Sequence, residues 1–304
     1  VSIAVISDTH FGSKCSALSR RDNVDYLIWE LWRYGEGIDE VVLLGDILDL
    51  WRARMENAIR DASYFFRRLD ELGVRVSYVV GNHDHHMTII RQELSLLERA
   101  ARGEPFAVYL PNLRWSMNLA GLKMTFHYPT YEISMGSRRL LFTHGHHLDG
   151  IKSLPVQIFE GIRRLSGEPV LPADLERMMA YAYESIYRSC YLGETVEIEE
   201  SLWRVTGIFE KVRSGLLRTL RYSPVESQYD AILRFIRERH PGRVDCFVYG
   251  DTHQAAIYRK DDDLLVANAG SLADGGDNTY LILTDDEIRL RGFGRHEPLR
   301  RMHF

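Results

Sequence analysis

Residues 40–49 read EVVLLGDILD. Val41 to Leu44 leave no side chain for solvent on either face, so a strand over Glu40–Leu44 belongs inside a sheet covered on both sides. Gly45 stops the run abruptly, and Asp46 emerges at the carboxyl end of the strand, where an unpaired carboxylate is costly. A cation at Asp46 removes that cost. An aspartate capping the first turn of a helix is the alternative.

The neighbouring chain has the same grammar. Ser2–Ser7 (SIAVIS) and Val74–Val80 (VRVSYVV) are equally apolar runs cut short by polar or glycine-rich turns. Between the three runs, about residues 20–32 and 53–72 place apolar side chains three and four apart, among them Ile59, Ala62, Phe66 and Leu69. This is a βαβ rhythm, with helices packed on a parallel sheet. From Leu113 to Phe142 the pattern changes to shorter strands, including LKMTFHY and RRLLFTH, and the C-terminal part repeats it with CFVYG, LLVANAG, TYLILT and EIRLRGF. These predict a second sheet.

Residues 151–240 break the pattern with helical stretches at Ala173–Arg188 and Ser201–Leu220. They read as an inserted helical subdomain, a lid or a packing element, within a main domain of residues 1–150 and 241–304. Trp203, Ile208, Val212, Leu216 and Leu220 form the apolar stripe that such an element needs.

A chain of 304 residues with 45% hydrophobic and 27% charged side chains can bury a full core. Its formal charge of -5, from 38 basic and 43 acidic groups, gives no global electrostatic reason to wrap a nucleic acid. Cys15, Cys190 and Cys246 are too few and too scattered for a disulfide framework or a zinc knuckle, which makes the reducing cytoplasm the expected compartment. No basic leader precedes Asp8 and no run of eighteen apolar residues occurs, so neither secretion nor a membrane span is expected.

Histidines mark the chemistry. Eight of the twelve, His10, His83, His85, His86, His144, His146, His147 and His253, fall in clusters that directly follow expected strands. In open α/β sheets the carboxyl ends of strands are where loops converge on a ligand. Asp8 and His10, two apart, share one side if the chain stays extended. Asn82 and His83 follow Gly81, which permits a tight turn. Thr143–His147 and Gly250–His253 complete five strand ends offering oxygen and imidazole donors without a cysteine. That mixture suits two divalent ions at a catalytic centre rather than a thiolate-rich structural zinc.

Taken in order, SDTH (7–10), GDILD (45–49), GNHD (81–84), THGH (143–146) and GDTH (250–253) resemble the five-part signature of the calcineurin-like metallophosphoesterases. NAGSL, at Asn268–Leu272, is similar to the stretch that follows the last motif in many members. The resemblance implies an α/β fold, a four-layer α/β/β/α sandwich of two mixed sheets, here with a helical insertion. It implies a dinuclear centre that hydrolyses a small phosphorylated or nucleotide-type substrate with a metal-bound hydroxide. Asp8, His10 and His253 would hold the first ion and Asn82, His144 and Asp251 the second, with Asp46 between them. His83 would be the general acid toward the leaving group, and Asp49 the carboxylate that orients it.

Most members have histidine where this chain has Asp251. A carboxylate there adds negative charge and a harder donor, favouring manganese first, with magnesium and iron ahead of zinc. The insertion and THGHHLD look most like the UDP-2,3-diacylglucosamine pyrophosphatase branch. That branch has arginine where this chain has His83, so only the architecture carries over, not the lipid substrate.

Two other functions compete. A nuclease would use Arg204, Lys211, Arg213, Arg218 and Arg221 along a phosphate backbone, against which the net acidity counts. A non-catalytic scaffold would have lost motif residues, whereas His83 and Asp49 both remain. His85, His86, His146 and His147 adjoin the motifs without matching ligand positions, and suit hydrogen bonding behind the ligands or contact with substrate. His127 reads as a sheet residue. Trp51, Arg52 and Arg54 follow GDILD, either reaching the substrate or starting a surface helix.

Overall fold

The computed structural model describes residues 1–34, 37–104, 112–148, 179–189, 228–240, 242–260, 264–273 and 276–304. Its central strands are buried on both faces, and successive side chains enter different cores. Along β1 (Ile3–Ile6) and β2 (Glu40–Leu44), Ala4, Ile6, Val41 and Leu43 join one cluster, while Ile3, Val5, Val42 and Leu44 join another.

The first cluster is closed by α1 (Arg21–Tyr34) and α2 (Met55–Asp70), which contribute Leu27, Leu31, Ala62, Phe65, Phe66 and Leu69. Phe65 and Phe66 are fully buried, and truncating such a ring to alanine costs about 3–5 kcal/mol. After β3 (Arg75–Val79) come α3 (His86–Ala101), β4 (Leu113–Leu119) and β5 (Leu122–Tyr128). Three late strands, β11 (Thr279–Leu283), β12 (Glu287–Gly292) and β13 (Arg300–His303), complete an eight-stranded sheet ordered β13-β12-β11-β1-β2-β3-β5-β4. LKMTFHY, TYLILT and EIRLRGF, expected in a second sheet, therefore extend the first one instead, because β5 pairs with β3 and β11 with β1. β1, β2, β3 and β5 are parallel; the remaining pairings in the sheet are antiparallel.

The second sheet has five strands, β6 (Thr130–Met135), β7 (Arg138–Thr143), β8 (Cys246–Tyr249), β10 (Leu264–Asn268) and β9 (Ala256–Lys260), in that spatial order. Its inner face sends Leu140, Phe142, Cys246, Val248, Leu265 and Ala267 into the second cluster, against the first sheet. The outer face sends Leu141, Phe247, Tyr249 and Val266 into a third cluster with Ile232, Phe235 and Ile236 of α5 (Tyr229–Arg239). Three cores separated by two mixed sheets make the expected four-layer α/β/β/α sandwich.

Most of 151–240, including Ser201–Leu220 and its basic stretch, lies outside the described residues. Where described, this interval is helical over 179–189 (α4) and in α5. Among the described residues no helix is long and apolar enough to cross a membrane. The consequence for function lies at one rim, where β1, β2 and β3 of one sheet and β7 and β8 of the other all end and the five motif turns begin.

Candidate metal centre

The turn after β1 does not stay extended. Asp8 and His10 both adopt left-handed backbone, with φ of 52° and 50°, and their amides bond the turn after β2, Asp8 N to Gly45 O at 3.1 Å and His10 N to Asp46 O at 3.0 Å. The two side chains still meet, through alternating left-handed residues rather than strand geometry. Asp46, Asp251 and His253 are left-handed too, at 53°, 66° and 57°. Among the described residues only Ala120 and Asn278 share that conformation without being glycine. Five strained positions in one site are tolerated because the surrounding contacts overdetermine them.

Each donor is held from behind. Asp8 Oδ2 receives the Ser7 hydroxyl and, at 3.0 Å, the Asp251 amide, which leaves Oδ1 facing His253 Nε2 at 3.2 Å and His10 Nε2 at 3.8 Å. His10 Nε2 and His253 Nε2 lie 3.3 Å apart. Asp46 Oδ1 accepts the His83 amide at 2.8 Å, and Oδ2 lies 3.2 Å from His144 Nε2. His144 Nδ1 donates to the Leu44 carbonyl at 2.8 Å, which directs the Nε2 lone pair inward. Asp251 Oδ1 stands 3.5 Å from the same Nε2.

Three groups of donors emerge, Asp8–His10–His253, Asp8–Asp46–His144 and His10–Asp49–His83, with the ligand atoms of each within 4.8 Å of one another. Asp8 belongs to the first two and His10 to the first and third. Burial opposes ionisation of Asp46, yet His144 and His83 hold its carboxyl well below the usual range; burial likewise lowers His144, and Asp46 and Asp8 reverse it.

Asn82 is fully buried, and neither of its amide atoms has a hydrogen-bond partner among the described residues; Asp8 Oδ1 and His144 Nε2 are in the same condition. Buried polar atoms without partners are costly. A hard divalent cation satisfies an amide oxygen, a carboxylate oxygen and an imidazole nitrogen together, so these residues fit a metal centre.

Beside the donors, His83 Nδ1 lies 2.9 Å from Asp49 Oδ1, and its Nε2 lies 3.9 Å from Asp46 Oδ2. Asp49 Oδ2 is 3.0 Å from an Arg52 guanidinium nitrogen and 3.4 Å from His10 Nδ1. Burial works against the Asp49 charge, but His83 and His10 keep it ionised far below the ordinary carboxylate range. Trp51 stacks on His83, rings 4.0 Å apart and 23° from parallel. Trp51 and Arg52 therefore adjoin His83 and Asp49, ahead of α2, which begins at Met55.

The remaining motif residues tie turns together. Asp84 accepts Gly81 N at 2.6 Å, Ile47 N at 3.0 Å and the Tyr78 hydroxyl at 2.6 Å; burial and the neighbouring Asp46 push its carboxyl up to about 7. Asn268 of NAGSL donates to Gly250 O and to Thr252 Oγ1, each at 3.0 Å. His85 and His147 are pushed down to about 3 by burial, and His146 also falls well below its ordinary value. His147 stacks on Phe235 of α5, and His127 lies in β5 against Tyr131.

Sequence reasoning did not single out Tyr183. It comes from α4 and lies 5.8 Å from the Trp51 ring, 5.2 Å from His85 and 5.7 Å from His146. Its only sequence signal is position within a tyrosine-rich helical stretch, YAYESIY.

The family model for calcineurin-like phosphoesterases matches residues 1–255, which span all five turns. The chain belongs to that family. It is a metallophosphoesterase, a phosphoric ester hydrolase, of a family that typically binds a dinuclear divalent metal centre. No curated protein sequence matches it. Among solved structures it is similar to a dimetal phosphatase from Danio rerio, at 14% identity over 100% of this chain and 98% of that one, with a TM-score of 0.48. It is also similar to a predicted phosphoesterase from Streptococcus pneumoniae, at 12% identity over 100% and 97% of the two chains, with a TM-score of 0.35.

Proposed function

We propose that this metallophosphoesterase hydrolyses a small phosphorylated or nucleotide-type substrate, with two ions held by Asp8, His10, Asp46, Asn82, His144, Asp251 and His253. The observation that carries the reading is the convergence of five turns on one buried spot where Asp8 Oδ1, His144 Nε2 and both amide atoms of Asn82 lack hydrogen-bond partners among the described residues. Asp8, His10 and His253 would hold one ion and Asn82, His144 and Asp251 the other, with Asp46 available to either. Ions held there would supply Lewis-acid polarisation of phosphoryl oxygens and lower the pKa of water.

The protein's own part is proton delivery and positioning. As the bond from phosphorus to the leaving oxygen breaks, that oxygen takes the electron pair and then the Nε2 proton of His83 in its imidazolium form, leaving the neutral imidazole. Burial disfavours that imidazolium, and the Asp46 and Asp49 charges support it. Asp49 keeps Nδ1 protonated and the ring oriented through the 2.9 Å contact, and Trp51 holds the ring face. Asp251, a harder donor than imidazole, supports manganese as the native metal. Residues 1–150 and 241–304 form the catalytic domain, and 151–240 is an insertion that contributes Tyr183. A sequence with three cysteines and no disulfide spacing supports a cytoplasmic setting.

The test is a screen of phosphomonoesters, phosphodiesters and nucleotide pyrophosphates after chelation and repletion with single metals. Turnover should vanish on chelation and return best with manganese. Chelator-insensitive turnover, or restoration by zinc alone, would refute the assignment.

A further inference from the structure

The rings around His83 form a continuous wall. From the Trp51–His83 stack it passes to Tyr183, at 5.8 Å from Trp51, and then to His85 and His146, at 5.2 and 5.7 Å from Tyr183. Tyr128 closes the far side, 5.1 Å from His85 and within 14° of parallel to His146 at 6.5 Å. His85, His146, Tyr128 and Tyr183 are all buried, whereas Trp51 is half-buried and opens the wall toward solvent.

Tyr183 is fixed rather than draped over this wall. On the same helix, Glu184 Oε2 lies 2.6 Å from His86 Nδ1, and Tyr187 stacks on His86 with ring centres 3.8 Å apart. The adjacent cation is already engaged, since Arg52 reaches Asp49 at 3.0 Å.

We propose that Trp51, His85, Tyr128, His146 and Tyr183 form a leaving-group recess that selects phosphoesters of planar aromatic alcohols. The inference rests on the reading of His83 as proton donor. A donor must sit within hydrogen-bond reach of the leaving oxygen, so the group attached to that oxygen lies against whatever adjoins His83. What adjoins it is aromatic, and a ring that meets those rings in an offset or edge arrangement gains attraction beyond the area it buries, which a saturated chain of similar size lacks. Tyr183 is the specificity determinant supplied by the insertion.

Binding of non-hydrolysable phosphonates to the manganese-loaded full chain, measured by calorimetry, tests this independently of turnover. Benzylphosphonate, the isostere of phenyl phosphate, should bind about tenfold tighter than ethylphosphonate and about fivefold tighter than cyclohexylmethylphosphonate. Tyr183→Phe should keep those ratios, and Tyr183→Ala should bring them to within about twofold of one. If Tyr183→Ala does not fold, Tyr183→Leu, which keeps bulk but lacks a ring, decides the matter. Equal affinities in the wild type, no binding of benzylphosphonate, or ratios that survive loss of the Tyr183 ring would overturn the recess. Absence of hydrolysis on every phosphoester would instead sink the hydrolase reading and leave the affinity ratios readable.

Discussion

His83 Nδ1 and Asp49 Oδ1 lie 2.9 Å apart in a buried pair. The contact orients the ring and places a carboxylate charge beside Nδ1, which favours the imidazolium that the proposed proton donor needs in order to carry a proton on Nε2. His83→Ala should keep its metal content and lose on the order of 10²- to 10⁴-fold in kcat. The loss should shrink for p-nitrophenyl esters, whose phenolate barely needs a proton. Equal losses on aryl and alkyl esters would remove the proton-donor role.

Asp46 has a different duty. One oxygen holds the His83 amide at 2.8 Å and the other faces His144 at 3.2 Å. Asp46→Asn removes a charge from the Asp8–Asp46–His144 group, and metal and activity should disappear together. Two ions per chain by elemental analysis, with near-normal turnover, would show that Asp46 does not bridge.

Much of this was readable in the sequence, for a physical reason. The central strands β1, β2 and β3 are buried on both faces over most of their length and appear as largely apolar runs. The four strands that the sequence motifs did not name, β4, β6, β9 and β13, are the four sheet edges; β4, for example, alternates between exposed and more covered positions. α3 buries only Met87, Thr88 and Gln92, too thin a stripe for periodicity to reveal. The motifs located the candidate site, but their local geometry was hidden. Spacing in Asp8-x-His10 suggested an extended chain, where the backbone alternates through left-handed residues. Tyr183 escaped because its role depends on where α4 lands, and no local pattern encodes that.

Gly81 tests the closeness of the site. A Cβ at this position would collide with Asp46 Oδ1 and lie 2.8 Å from His144 Cδ2. Its φ lies outside the left-handed region, so Gly81→Ala introduces a steric change without a backbone penalty. Metal affinity should fall by about 10- to 100-fold, the range for disturbed support of a ligand, with the secondary structure unchanged by circular dichroism. Undiminished affinity would mean that Asp46 and His144 can move apart without consequence.

Glu30, far from the motifs, makes stability depend on pH. It is fully buried on α1, and burial pushes its carboxyl up to about 7 despite nearby Arg291 and Tyr280. In the unfolded chain the same carboxyl titrates near 4.5. Below that pH both states are protonated and Glu30 costs nothing. Between 4.5 and 7 the unfolded chain ionises while the folded chain holds its proton, so stability is lost as pH rises; above 7 the loss is constant. Glu30→Gln removes the titration. It should leave the melting temperature nearly unchanged at pH 4.5 and stabilise the fold at pH 8 by on the order of 2 kcal/mol. Thermal melts of both proteins across this range decide it, and destabilisation by Glu30→Gln at pH 8 would mean that the attraction of Arg291 outweighs burial.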